Sequence, residues 1–388
     1  MTPADNGSIT LTAQCLCKAN TFKAQIPKSK LPLPAYICHC TSCRRLNGGL
    51  YTSCMRWTEP LGSIDSSKLK SFSFSSNIDM LFCPTCSTPI FWVYPKEPEK
   101  LLGVFTGVLS NENENLIKFV NQGFVDDTID GGASIWFRHP NQDGSETKRF
   151  KLEISEDGTG EVPQDWPDAA TLTGYGAKKE DAVPFRCKCK GVDFVLHRDT
   201  PERRDGEELP SHIDPKTGKF QADLCPCDSC RLQSGIDIFS WTFTDMRNIS
   251  FNKSVTDESF PKTSDALKDL VDAKGPAVGS LTYYNSSPGV HRFFCGTCSA
   301  CVFYASDTRP KVVDIAVGLL DASDGARAEG LLSWSYGAEM DDRQDGDGGW
   351  RKELFDHVEK DGEDFRVGKG YPKNFKTLAK DAEVKARA

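Results

Sequence analysis

The sequence predicts a mainly β protein with few short helices, built as two tandem domains. Two observations carry this. The first is a repeat: Cys15-x-Cys17, Cys38-x-Cys40-x-x-Cys43 and Cys83-x-x-Cys86 return in the same order as Cys187-x-Cys189, Cys225-x-Cys227-x-x-Cys230 and Cys295-x-x-Cys298. The clusters use all but Cys54 and Cys301 of the 16 cysteines. A period of this length means duplicated domains rather than a solenoid. The second is local pattern. "LFCPTC" (81–86), "PIFWVY" (89–94), "SIWFRH" (134–139) and "KVVDIAVGLL" (311–320) are short runs of β-branched and aromatic residues between turn formers, which predicts strands.

Along the chain, the repeat sets a first domain at 8–150 and a second at 183–360. Further parallels support the pairing: "FCPTCSTPIFWVY" (82–94) with "FCGTCSACVFYAS" (294–306), and "LLGVFTGVLS" (101–110) with "VVDIAVGLLD" (312–321). Residues 151–182, rich in Gly, Pro and charge, read as a linker or strap. The second copy carries two polar insertions, 198–219 and 253–276, expected to be surface loops. Within the latter, "SDALKDLVDA" (264–273) is the best helical stretch, with Ser264 as its expected N-cap. The tail 361–388 ends in a charged segment, 371–388, that suits a terminal helix with a solvated face. Trp57, Trp92, Trp136 and Trp241 are expected in the core.

Composition narrows the function. The 388 residues are 38% hydrophobic and 26% charged, enough for two or three globular domains. A net charge of -8 and a pI near 5.4 argue against a general binder of nucleic-acid backbones. No apolar run is long enough to span a membrane, and the opening "MTPADNGSITLTAQC" lacks a secretory pattern. The expected location is cytoplasmic, where thiols stay reduced. The sequence does not set the oligomeric state.

Thiols spaced C-x-C and C-x-x-C bridge each other poorly but chelate one metal well. Each copy has seven, in a 2 + 3 + 2 arrangement. Zinc in a structural site takes four tetrahedral ligands. The simplest partition gives the outer pairs to a closed site: Cys15, Cys17, Cys83 and Cys86 in one copy, Cys187, Cys189, Cys295 and Cys298 in the other. The central triplets, Cys38/Cys40/Cys43 and Cys225/Cys227/Cys230, would each hold a second zinc by three thiolates. The fourth position then stays open, as in a catalytic site. That makes up to four Zn2+ per chain, two structural and two catalytic. The competing arrangement closes the triplet sites with Cys54, Cys301 or His39. His39, beside the first triplet, reads more as a support for the ligands than as a base. A zinc with three thiolates carries about one net negative charge, a weak Lewis acid that suits a thiol substrate and an aldehyde electrophile. The sequence argues strongly against nucleobase deamination, because no H-x-E precedes "PCDSC" at 226–230.

The combined order C-x-C, C-H-C-x-x-C-R, C-x-x-C and a strand ending G-x-L resembles the glutathione-dependent formaldehyde-activating enzyme family, which includes centromere-protein-V-like proteins. The resemblance covers both halves, as a tandem, and implies β-tent domains. It also implies the same division of the cysteines, with Cys38, Cys40, Cys43, Cys225, Cys227 and Cys230 at catalytic zinc. The implied activity is addition of glutathione to formaldehyde, a carbon–sulfur lyase reaction. Its partners would be glutathione, or a similar thiol, and formaldehyde or a larger carbonyl. Arg44, Arg45 and Arg231 follow the triplets and are candidate contacts for substrate carboxylates. The sequence departs from the family pattern at Ser87 and Ser299, where Gly is usual, and at Pro226, where the first copy has His39. A different class of function, a non-catalytic zinc scaffold for protein or nucleic acid, fits the same ligands.

Overall fold

Alternating burial makes the strands. In Thr21–Pro27, Phe22, Ala24 and Ile26 face inward and their neighbours face out. In Leu33–Cys38, Leu33, Ala35 and Ile37 are buried, which puts Tyr36 and Cys38 on the other face. The computed structural model describes residues 7–96, 101–163, 165–176, 181–252, 254, 256 and 258–387, and so leaves parts of the expected linker and of the second insertion outside the described residues. The described residues form a mainly β protein, with 20 strands in four sheets and six α-helices.

The first half holds β1 (Ser8–Gln14), β2 (Thr21–Pro27), β3 (Leu33–Cys38), β4 (Thr52–Arg56), β5 (Lys70–Ser75), β6 (Ile78–Phe82), β7 (Pro89–Val93), β8 (Leu102–Phe105), β9 (Ile117–Gly123) and β10 (Lys148–Arg149), with helix α1 (Thr41–Asn47). The second holds β11 (Ala182–Arg186), β12 (Asp193–His197), β13 (Phe220–Cys225), β14 (Phe239–Asp245), β15 (Ile249–Phe251), β16 (Leu281–Ser287), β17 (Val290–Cys295), β18 (Cys301–Ser306), β19 (Val312–Ala316) and β20 (Leu332–Trp334). Its helices are α2 (Pro201–Arg204), α3 (Asp228–Ser234) and α4 (Ser264–Asp272). Then come α5 (Arg351–Gly368) and α6 (Phe375–Arg387).

The two large sheets share one strand order. β5-β6-β7-β8-β4-β3-β9 in the first matches β16-β17-β18-β19-β14-β13-β20 in the second, and β10 extends the first at one edge. Both have a parallel pair at the same place, β3 with β9 and β13 with β20, and in the first β10 adds a second beside β9. The small sheets β1-β2 and β11-β12-β15 also correspond, with β15 added in the second half.

The halves pack through a reciprocal contact. The N–H of Gly107 donates to the carbonyl of Gly235, and that of Gly318 donates to the carbonyl of Gly48. Gly48 and Gly235 end α1 and α3 in the left-handed conformation, at φ 84° and 76°. The buried apolar side chains of both halves form one continuous cluster. Helix α5 wedges against this junction. Its Arg351, fully buried, bonds Asp237 of the second half and the carbonyls of Thr106 and Leu109 of the first.

Three expectations change. "SIWFRH" is no strand: it follows a 3-10 turn at Gly132–Ile135, because Gly131 and Gly132 both adopt positive φ and turn the chain. The cap of α4 is Thr263, whose hydroxyl accepts from the Ala266 N–H, one residue before the expected Ser264. The tail boundary expected at 361 falls inside α5, and the charged end of the chain is helical as α6. The four tryptophans expected in the core are buried there.

Candidate metal centres

Four cysteine groups gather as the spacing predicts. Cys15, Cys17, Cys83 and Cys86 form one, and Cys187, Cys189, Cys295 and Cys298 another; Cys38/Cys40/Cys43 and Cys225/Cys227/Cys230 form the two triplets. Within each group the sulfur atoms lie within 4.8 Å of one another. No fourth Cys, His, Asp or Glu ligand atom joins either triplet among the described residues. All 16 cysteines are free thiols.

The four-cysteine groups are made by two tight turns each. In the first, Lys18 follows Cys17 and Ser87 follows Cys86, both at positive φ. Lys190 and Ser299 do the same in the second. The two serines therefore occupy backbone that favours glycine. Backbone N–H groups point at the sulfurs: Asn20 to Cys15 at 3.3 Å, Cys17 to Cys86 at 3.4 Å, Val192 to Cys187 at 3.3 Å and Cys298 to Cys295 at 3.4 Å. Sulfur–sulfur separations are 3.5 Å for Cys15–Cys17, 3.6 Å for Cys17–Cys83 and 3.5 Å for Cys189–Cys295. A tetrahedral zinc with Zn–S bonds near 2.3 Å sets sulfurs about 3.8 Å apart. The donor set and its spacing thus fit a metal ion of the zinc kind.

Each triplet sits where a strand runs into a helix. β3 ends at Cys38, and Cys40 caps α1, its sulfur accepting from the Cys43 N–H at 3.3 Å. β13 ends at Cys225, and Cys227 caps α3 in the same way at 3.5 Å. A carboxylate pins each loop from a distant segment: Asp127 accepts from the Thr41 N–H, and Asp345 from the Asp228 N–H. In the first triplet the negative charge settles on Cys40, pushed down to about 3 by hydrogen bonds from Cys38 and then Cys43. In the second it settles on Cys230, held well below the usual thiol range by Cys225 and Cys227, and also by the charge of Arg292.

His39 is fully buried. Its Nε2–H donates to Gln122 Oε1 at 2.8 Å, while the Gln122 amide N–H2 donates to the Phe137 carbonyl and Thr147. Burial pulls its pKa down to about 4, so the ring is neutral near pH 7. Arg44 is buried and donates to the His39 carbonyl, the Thr41 hydroxyl and the Asp127 carbonyl. Arg231 is also buried. It pairs with Asp228 and donates to the carbonyls of Gly107 and Leu109 in the other half. Arg45 pairs with half-exposed Asp321 at 2.7 Å.

The walls behind the triplets differ. Strand register pairs Cys38 with Thr52 and Cys225 with Phe239, so Cys54 and Trp241, two residues on, hold equivalent places. Cys54 is a half-buried thiol outside the first triplet, pushed up to about 11 by burial. Near it Trp92 stacks on Phe105 at 4.9 Å. Burial, with the nearby thiols, also raises the Tyr94 hydroxyl to about 12. In the second half Trp241 Nε1–H and Arg292 both donate to Cys230, at 3.4 and 3.5 Å. Cys301 is buried outside the second triplet. The sequence reading gave no site role to Trp241 and passed over Arg292. Aligning the halves on Cys83 and Cys295 finds the arginine, since it falls opposite Met80.

No helix among the described residues is long and apolar enough to cross a membrane. No curated protein and no solved structure matches the chain. A family model does match, over residues 10–126, a span that takes in all seven clustered cysteines of the first half. The matching model is that of the glutathione-dependent formaldehyde-activating enzyme.

Proposed function

We propose that the protein is a zinc-dependent carbon–sulfur lyase that forms or cleaves a thiol–aldehyde adduct. The substrates are glutathione, or a glutathione-like thiol, and formaldehyde or a larger carbonyl. In this reading 8–150 and 183–360 are two copies of one domain. Cys38, Cys40, Cys43, Cys225, Cys227 and Cys230 are the reactive-site ligands, and up to four zinc ions bind per chain. The reaction belongs in the cytoplasm, where the thiol is reduced.

The observation that carries the reading is the pair of three-sulfur groups, each without a fourth protein donor among the described residues, in a chain whose first half matches the family. When bound at three thiolates, zinc lowers the pKa of a thiol and offers it as a nucleophile. In the forward direction the sulfur lone pair forms the C–S bond, the carbonyl π pair moves to oxygen, and the thiol proton ends on that oxygen. The reverse step breaks the same bond.

The chain's own residues act as positioners. Asp127 and Asp345 hold the triplet loops, and buried Arg44 and Arg231 brace them. Neutral His39 packs behind the first loop as a fixed support. Of the three arginines once assigned to substrate, Arg45 is the one placed to exchange its exposed partner Asp321 for a substrate carboxylate.

The test is turnover of the zinc-loaded full chain with glutathione and 13C-formaldehyde, followed by NMR above the uncatalysed rate. Cys40→Ser and Cys227→Ser together are expected to abolish the acceleration. Unchanged turnover in the double variant would reject the proposal.

A further inference from the structure

The two triplets face different chemistry. Three residues before Cys83 stands Met80; three before Cys295 stands Arg292. Three residues after Cys43 stands Leu46; three after Cys230 stands Gln233. An apolar pair in the first half is thus a polar pair in the second, and in the second the two touch. Arg292 donates to Gln233 Oε1 at 3.1 Å and to Cys230 Sγ at 3.5 Å. Its Nε–H donates to Ser286, and its guanidinium lies 5.2 Å over the Tyr304 ring. Trp241 adds a second donor to the same sulfur.

Such a pair is costly to bury without partners. Arg292 is 4% exposed and Gln233 fully buried. Arg292 finds its partners, but the Gln233 amide N–H2 has no acceptor. An unused buried donor beside a charged one calls for an acceptor from outside the chain. Charge points to its kind. A divalent ion with three thiolates is already about one unit negative, and an anion beside it makes two. Arg292 offsets one of these, whereas Met80 offsets none.

We infer that the second triplet is built to receive an anionic ligand, the thiolate of the thiol substrate, with Arg292 offsetting its charge and Gln233 donating to it. The first half has Met80 and Leu46 at the corresponding positions, and so lacks both aids. The inference rests on the reading that the triplets hold metal, and it makes the two copies unequal in their affinity for anions.

The test uses the full chain loaded with cobalt(II), whose visible absorption reports the ligands around it. Cys40→Ser leaves the second triplet whole, and Cys227→Ser leaves the first. Thiocyanate is the anionic probe. The Cys40→Ser protein is expected to bind it roughly tenfold more tightly than the Cys227→Ser protein, the size of one charge-assisted contact. Adding Arg292→Met should erase that difference, and Arg292→Lys should keep part of it. Equal affinities in the two parents, or no effect of Arg292→Met, would overturn the inference. So would loss of cobalt from the second triplet on Arg292→Met, because the arginine would then be serving the ligands alone. If cobalt enters neither triplet in the unaltered chain, the underlying metal reading fails and this inference falls with it.

Discussion

Gly318 donates its backbone N–H to the carbonyl of Gly48 at 2.8 Å, and so joins the second half of the chain to the end of helix α1 in the first. The approach leaves no room for a side chain. A Cβ on Gly318 would lie 1.9 Å from the Gly49 carbonyl oxygen, and one on Gly107 would lie 2.3 Å from the Ile236 nitrogen. Backbone cannot give way as a flexible side chain can. Gly318→Ala should therefore destabilise the protein by about 2 kcal/mol or more through overpacking. Thermal unfolding followed by circular dichroism checks this, and an unchanged midpoint would deny the close contact.

Arg351 and Asp237 form a buried ion pair at 2.9 Å, with Thr106 donating to the other carboxylate oxygen. Removing one member strands a charge in the interior. Arg351→Met should cost about 3–5 kcal/mol, and the double change to Arg351→Met with Asp237→Asn should cost less than the single one. Denaturant titration of the single and double variants against the parent measures the difference.

The two kinds of cysteine group should respond differently to mutation. Cys187→Ser breaks a group that ties β17 to the loop after β11, so it should remove one metal per chain and lower the melting temperature strongly. Cys227→Ser touches a loop already held by Asp345 and Arg231, so it should remove one metal with a smaller shift. Metal analysis and melting of both variants would separate the groups, and equal melting losses would contradict the division.

Asp130 gives a pH signature of its own. Burial pushes its carboxyl up to about 6 from the ordinary 3.8, against the pull of Arg327. Between those values the folded state holds the proton that the unfolded chain releases. This contribution to stability is present below about pH 4 and is lost as pH rises through 6. Relative to Asp130→Asn, the native protein should be more stable at pH 4.5 than at pH 7.5, by about 2 kcal/mol. A constant difference across that range would remove the effect.

Much of the site was legible because thiol spacing is a geometric statement. A C-x-C or C-x-x-C pair can bring both sulfurs to one ion, so all fourteen clustered cysteines could be grouped from their spacing, and the structure gathers them in those same four groups. Strand pattern was legible where short apolar, β-branched or aromatic runs lie between turn formers, as in β7 and β19, which are buried almost throughout. It failed at residues 134–139, where Gly131 and Gly132 override a run of apolar residues that pack as a turn. The junction between halves was not legible, since it rests on Gly107 and Gly318 meeting backbone far away in sequence. Arg292 and Gln233 went unread for a related reason. Neither is adjacent to Cys230, and only the fold brings both to it.

The proposed chemistry requires three thiolates to hold a metal in each half, beside a closed four-thiolate site. Zinc counted per polypeptide in the purified full chain, by mass spectrometry under native conditions, tests this most directly. Four ions per chain is the predicted result, falling to three in Cys40→Ser and to two when Cys227→Ser is added. Two ions in the unaltered chain, with no change in either variant, would contradict it.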